Sequence, residues 1–131
     1  MPRIEGDFAE LLMAVASGRL SEIGRPEMCS HSAMTIIVAA QGYPGTPKRG
    51  GAIDGVEAAE RVPGVTVFHA GTARHASGAL LAGGGRVLAV TAVADTLANA
   101  RARAYRGVDA IDFADGFHRR DIGWRELERM E

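Results

Sequence analysis

The stretch Ser32 to Ala40, SAMTIIVAA, restricts the fold more than any other part of the chain. It is rich in β-branched residues and apolar at both odd and even positions, which predicts a strand covered on both sides. It runs directly into AAQGYPGTPKRGG, Ala39 to Gly51, which carries glycines at 42, 45, 50 and 51, prolines at 44 and 47, and the adjacent cations Lys48 and Arg49. Any fold must therefore bury the strand and leave the core at once through a stiff turn. That turn is either a plain surface connection or a cradle for an anion.

The remaining elements follow from pattern. Asp7 and Glu10 have capping-box spacing ahead of Phe8, Leu11, Leu12 and Val15, which share one helix face, and Gly18 is a natural stop. Residues 19–30 are polar, contain Pro26 and read as a loop. Asp54 and Glu57 repeat the capping spacing and open a short helix that ends near Pro63-Gly64. VTVFHA, Val65 to Ala70, is a second strand, followed by the polar loop GTARHASG. ALLAGGGRVLAVTAVA reads as two strands joined across Gly83, Gly84 and Gly85, with the glycines supplying positive φ. Asp95 is placed to cap a long helix striped by Leu97, Ala100, Ala104, Val108 and Ile111, and Trp124 and Leu127 mark a short C-terminal helix. Four strands and three or four helices, with hairpins rather than alternating βαβ units, predict an α+β fold with a mainly antiparallel sheet and flanking helices.

A chain of 131 residues suits one domain and can bury roughly two-thirds of its unfolded surface. The formal net charge of −1 offers no general attraction to nucleic acid or to an acidic membrane, so neither is expected as a partner. One cysteine, Cys29, excludes an internal disulfide. The N-terminus lacks the apolar stretch of a signal peptide, and the longest apolar run is far short of the roughly 20 residues of a membrane span. These features lead to the expectation of a soluble, cytoplasmic protein.

Two turns have the ingredients of a phosphate site. In GYPGTPKRGG, glycines allow backbone N–H groups to approach an anion and Lys48 and Arg49 add charge. No Gly-x-x-x-x-Gly-Lys-Ser/Thr occurs, so it is not a nucleotide-binding loop of that type. In GGGR, Arg86 follows a flexible turn and either reaches a phosphate or rests in solvent. His31, His69, His75 and His118 lack metal-ligand spacing, and no zinc site is expected. Cys29 and His31 lie too close in sequence to suit a nucleophile and its base. Arg101, Arg103, Arg106, Arg119 and Arg120 read as a solvated face. No catalytic constellation emerges from spacing alone.

In order along the chain, AMTIIVAAQGYPGTPKRG, GVTVFHAGT, GGRVLAVTAVADTLANARARAY and FHRRDIGWREL resemble the C-terminal domain of the phosphoribosylamine–glycine ligases, which belong to the ATP-grasp superfamily. The likeness extends from about Leu11 to Leu127. It implies a part in de novo purine synthesis, in which ATP, glycine and 5-phosphoribosylamine give glycinamide ribonucleotide, ADP and phosphate. It also implies a rudimentary single-hybrid-like C-terminal fold spanning residues 1–131, with the N-terminal, ATP-grasp and metal-binding parts outside them. ATP and magnesium or manganese are then expected for the whole ligase, none in this chain, and the isolated chain is expected to be inactive.

In the superfamily's purine enzymes the C-terminal domain closes the site and helps to hold the ribonucleotide phosphate. On that basis Arg86, with Gly84 and Gly85, becomes the first candidate for a substrate-phosphate contact, and Gly42, Tyr43, Pro44, Gly45 and Lys48 the second. Many family members carry an aromatic residue where Pro47 stands. The implied partners are phosphoribosylamine or glycinamide ribonucleotide and the ligase's other domains. Apolar surface on the first helix is expected to promote self-association. A free-standing sugar-phosphate-binding or interaction module is the alternative.

Overall fold

The structure, a computed structural model, describes residues 1–130. Its elements in chain order are α1 (Phe8–Ala16), a 3-10 turn (Leu20–Glu22), β1 (Ser32–Ala40), α2 (Val56–Glu60), β2 (Val65–His69), β3 (Thr72–Arg74), β4 (Leu80–Ala82), β5 (Arg86–Ala94), α3 (Leu97–Asp109), β6 (Gly116–Phe117) and α4 (Trp124–Glu128). The main sheet has the order β2-β5-β1-β6 with every pair antiparallel, and β3 and β4 form a separate antiparallel ribbon. The α+β, antiparallel expectation is met.

The core lies between the main sheet and α3. Met34, Ile36 and Val38 of β1 share one face with Leu88, Val90 and Ala92 of β5 and with Val65 and Val67 of β2, and all are buried. α3 lays Ala100, Ala104, Gly107 and Val108 against them. Small residues let it sit close: a Cβ added at Gly107 would lie 2.9 Å from Val90 Cγ1 and 3.0 Å from Val65 Cγ1. Ile36, Leu88, Val87 and Val90 are the largest fully buried side chains, each contributing roughly 1.5–3 kcal/mol by leaving water.

The opposite face of the sheet is open, which corrects the expectation that β1 is covered on both sides. Thr35 and Ile37 of β1, Thr66 and Phe68 of β2 and Phe117 of β6 are exposed there. The apolar continuity of SAMTIIVAA hides this because Ile37 is apolar at a position that no element among the described residues covers.

Several local expectations also change. Asp7 caps α1 by accepting from the amides of Ala9 and Glu10, as its spacing suggests. α2, however, begins at Gly55, whose φ of 79° is left-handed, while Asp54 pairs through its backbone with Asp112. α3 is capped by Thr96, which accepts from the Asn99 amide, and Asp95 instead pairs with His31 at 3.1 Å. The segment expected as a polar loop after β2 contains β3, which pairs with β4, so β4 and β5 do not form the expected hairpin. None of Gly83, Gly84 and Gly85 has a positive φ. The two-residue β6 and the 3-10 turn have no pattern long enough to be read.

Helix α1 packs little of its apolar stripe. Ala14 is its one buried residue, and Leu12, Met13 and Val15 are exposed. The C-terminal segment, by contrast, is tied to α3. Arg101 donates to the carbonyls of Ile122 (2.8 Å) and Arg120 (2.9 Å), and Tyr105 Oη donates to the Arg119 carbonyl (2.8 Å). Arg120 pairs with Asp109 at 2.9 Å and Arg103 donates to the Val93 carbonyl at 3.2 Å. Part of the arginine set expected as a solvated face is therefore a set of backbone clamps.

Candidate functional site

Arg86 owes its position to a β-bulge. Strict alternation along β5 would put Arg86 on the face of Leu88, Val90 and Ala92, under α3. The β1–β5 register instead steps from Val38↔Leu88 to Ala39↔Arg86, leaving Val87 as the extra residue. Val87 is fully buried, and Arg86 emerges exposed beside Ala39. A bulge thus re-aims one side chain from the core to the open face.

The turn after β1 closes on the same place. Gly42 has a φ of 90°, and a Cβ there would run into the Thr46 carbonyl oxygen. The Tyr43 amide donates to the Ala40 carbonyl (3.1 Å) and the Lys48 amide to the Gln41 carbonyl (2.8 Å), and the Tyr43–Pro44 peptide is cis. The Tyr43 ring lies directly over Gly85, where it leaves no room for a Cβ.

Between these turns is an open concavity of about 720 Å³. Tyr43, Pro44 and Gly45 of the first turn, Gly85 and Arg86 of the second, and Gly71 line it. Arg86 is its one charged residue among the described residues, and no carboxylate lines it. A cation flanked by glycines and facing away from carboxylates can accept a phosphate or carboxylate group.

Tyr43 and Arg86 also border a second, apolar trough of about 280 Å³ that reaches Phe117 and Ile122. Another concavity, of about 520 Å³ beside α2, mixes Glu57 and Glu60 with Arg61 and Arg74.

The structure brings Tyr43, Pro44, Gly45, Gly85 and Arg86 together around one concavity. It leaves out three other candidates. Lys48 is drawn to Asp115, Nζ to Oδ1 at 3.1 Å, and does not line the concavity. Gly42 and Gly84 belong to the two turns but do not line it. Gly71 was not a candidate from spacing, although a glycine just past a strand in FHAGT is a signal of close backbone approach.

The histidines do not converge. His69 pairs with Thr72 Oγ1 (3.1 Å), His75 with Ser77 Oγ (2.9 Å), and the Nε2 of His118 is buried without a partner. Burial and Arg120 hold the His118 pKa below its ordinary value, with Asp109 opposing them. Among the described residues no group of three or more His, Cys, Asp or Glu side chains could hold a metal ion.

Residues 33–125, which contain both turns, match the family described as phosphoribosylglycinamide synthetase, C domain. The chain belongs to this family. It is 46% identical over 129 residues to the phosphoribosylamine–glycine ligase of Brucella melitensis, covering 98% of this chain and 30% of that protein. The chloroplastic phosphoribosylamine–glycine ligase of Arabidopsis thaliana is 46% identical over 132 residues, covering 100% of this chain and 25% of that protein. The crystal structure of the Thermotoga maritima phosphoribosylamine–glycine ligase superposes with a TM-score of 0.68 at 30% identity, covering 85% of this chain and 27% of that one. The chain thus spans less than a third of the length of these relatives. Within the synthetase C domain, the matched residues hold the whole main sheet apart from Ser32, together with α3. Helix α1 lies outside the match. No helix among the described residues is long and apolar enough to cross a membrane.

Proposed function

We propose that this chain serves as the C-terminal domain of a phosphoribosylamine–glycine ligase and that the Tyr43–Arg86 concavity forms the wall that holds the ribose phosphate. The observation that carries the reading is the convergence of two glycine turns, distant in sequence, on Arg86, the one charged residue lining the concavity among the described residues. The bulge turns the Arg86 guanidinium outward, where it can form charge-assisted hydrogen bonds to phosphate oxygens. Gly45, Gly71 and Gly85 keep side chains out of the way, and the Tyr43 ring closes one side. ATP, its metal ions and phosphoryl transfer belong in this reading to the remainder of the ligase, and the chain is inactive alone. Its role is to bind and orient the ribonucleotide and to shield the site from water.

The test is complementation. The chain is mixed with the remaining domains of such a ligase, and ADP release is followed with glycine and phosphoribosylamine. Activity that requires both pieces supports the reading; turnover by the chain alone, or no activity with both pieces folded, counts against it. In the complemented enzyme Arg86→Ala is expected to raise KM for phosphoribosylamine roughly tenfold to a hundredfold, the worth of a hydrogen bond to a charged group, and to leave KM for ATP nearly unchanged. Equal effects on both substrates would remove Arg86 from the site. Tight calorimetric binding of glycinamide ribonucleotide by the chain alone would favour a free-standing sugar-phosphate module instead. Self-association through the exposed side chains of α1 belongs to the same reading, and a monodisperse monomer at high concentration contradicts it.

A further inference from the structure

The geometry points to Gly71 as the positioning residue that locks the Val87 bulge and thereby aims Arg86 into the concavity. Beyond His69, the chain of β2 continues alongside β5 for two more residues. The Ala70 amide donates to the Val87 carbonyl at 3.0 Å. The Gly71 amide spans both carbonyls of the bulge, reaching Arg86 O at 2.9 Å and Val87 O at 3.2 Å. Its own carbonyl accepts from the amides of Gly83 (2.7 Å) and Gly84 (3.1 Å). One residue therefore holds the turn before Arg86 and the bulge after it.

Only glycine fits there, and the reason is space rather than dihedral angle. Gly71 is not among the glycines with positive φ. A Cβ on it would lie 2.6 Å from Arg86 O, 3.0 Å from Gly84 Cα and 3.2 Å from Gly84 N, all backbone atoms. An alanine must push the Gly84–Arg86 backbone away, because no side chain in that set can yield. Displacement on the order of 1 Å is enough to spoil a charge-assisted contact to phosphate. Gly83, in the same turn, is different: a Cβ there meets Gly71 O at an ordinary 3.6 Å.

The inference rests on the proposed phosphate role of the concavity, and its test separates the two. The full 131-residue chain is labelled with ¹⁵N, complemented with the unlabelled remaining domains of such a ligase and titrated with ribose 5-phosphate, reading the Arg86 Nε–Hε signal, with ribose as the uncharged control. The wild-type signal is expected to shift saturably with ribose 5-phosphate and not with ribose. Gly71→Ala is expected to weaken that response roughly tenfold or more while the rest of the spectrum keeps its dispersion. Gly83→Ala is expected to titrate as wild type. A wild-type signal that ignores ribose 5-phosphate overturns the phosphate reading and this inference together. A responsive wild type with an equally responsive Gly71→Ala overturns the positioning role alone. Equal weakening by Gly83→Ala also overturns it, since any disturbance of the turn would then suffice. Should Gly71→Ala fail to fold, the wild-type backbone decides: order parameters at Arg86 and Val87 near about 0.85 support a locked bulge, and values below about 0.6 overturn it.

Discussion

Ile36 and Ile37 are adjacent in β1 yet occupy opposite environments. Ile36 is 0% exposed beneath α3, whereas Ile37 is 39% exposed on the open face. The same division runs along β2, where Val65 and Val67 are buried and Thr66 and Phe68 exposed, so the sheet has a face that stabilises the domain and a face that is free to receive something. Both concavities beside Arg86 belong to the second face, and each includes Ile37. The largest expected effect tests this division directly. Ile36→Ala should lose about 2–5 kcal/mol in urea unfolding, from lost burial plus a cavity. Ile37→Ala should lose less than about 1 kcal/mol, because half-exposed apolar surface returns little on folding. Equal losses would mean that the open face is packed in solution.

The next effect concerns Thr91, the one buried polar residue among the described residues. Thr91 is 3% exposed although its side chain belongs to the open face, and its hydroxyl shares a 2.8 Å hydrogen bond with Thr35 Oγ1 across β1 and β5. Thr35→Val leaves the Thr91 hydroxyl without its partner and should lose roughly 1–3 kcal/mol. Thr91→Val should lose less, since the exposed Thr35 can turn to water. The double valine variant should recover most of the Thr35→Val loss, because no unsatisfied group remains. A simple sum of the two single losses would show that the hydroxyl pair contributes nothing as a pair.

These contrasts explain what could be read from residues alone. β1, β2, α1 and α3 were legible because each has a long periodic or β-branched pattern; of the expected α3 stripe, Ala100, Ala104 and Val108 are buried, Leu97 is partly buried and Ile111 lies past the helix end. The openness of one sheet face was not legible, since Ile37 and Phe68 are as apolar as core residues. The partnership of β3 with β4 was hidden in GTARHASG, which is polar because the ribbon lies at the surface. The two turns of the candidate site were visible as glycine-rich basic stretches, but their convergence needed the bulge at Val87. No local pattern announces an extra residue inside the apolar run RVLAVTAVA. Lys48 shows the limit on the chemical side: its charge suited an anion, but Asp115, remote in sequence, engages it.

The smallest expected effect lies where the two faces meet. His118, just past β6, borders the apolar trough on the open face and also the space between Val38, Val108 and Asp109 beneath the end of α3. Its Nε2 is buried and unpartnered, and the Tyr105 ring, with its centroid 6.2 Å away, flanks it. Burial first and Arg120 second disfavour the imidazolium, with Asp109 opposing, so the folded pKa is below the unfolded value near 6.5. As pH falls through about 6.5, the unfolded chain takes up a proton before the folded one does, and stability declines. The decline ends once pH is below the folded pKa, where both states are protonated. Stability should therefore be full above about pH 7.5 and should drop on acidification toward pH 5. Asp121, whose pKa Arg119 lowers through a hydrogen bond, acts in a separate window below about pH 4. Thermal unfolding of wild type and His118→Gln across pH 5 to 8 checks the assignment. The variant should show a flatter profile between pH 5 and 7.5, and an unchanged slope would assign the proton uptake to another group.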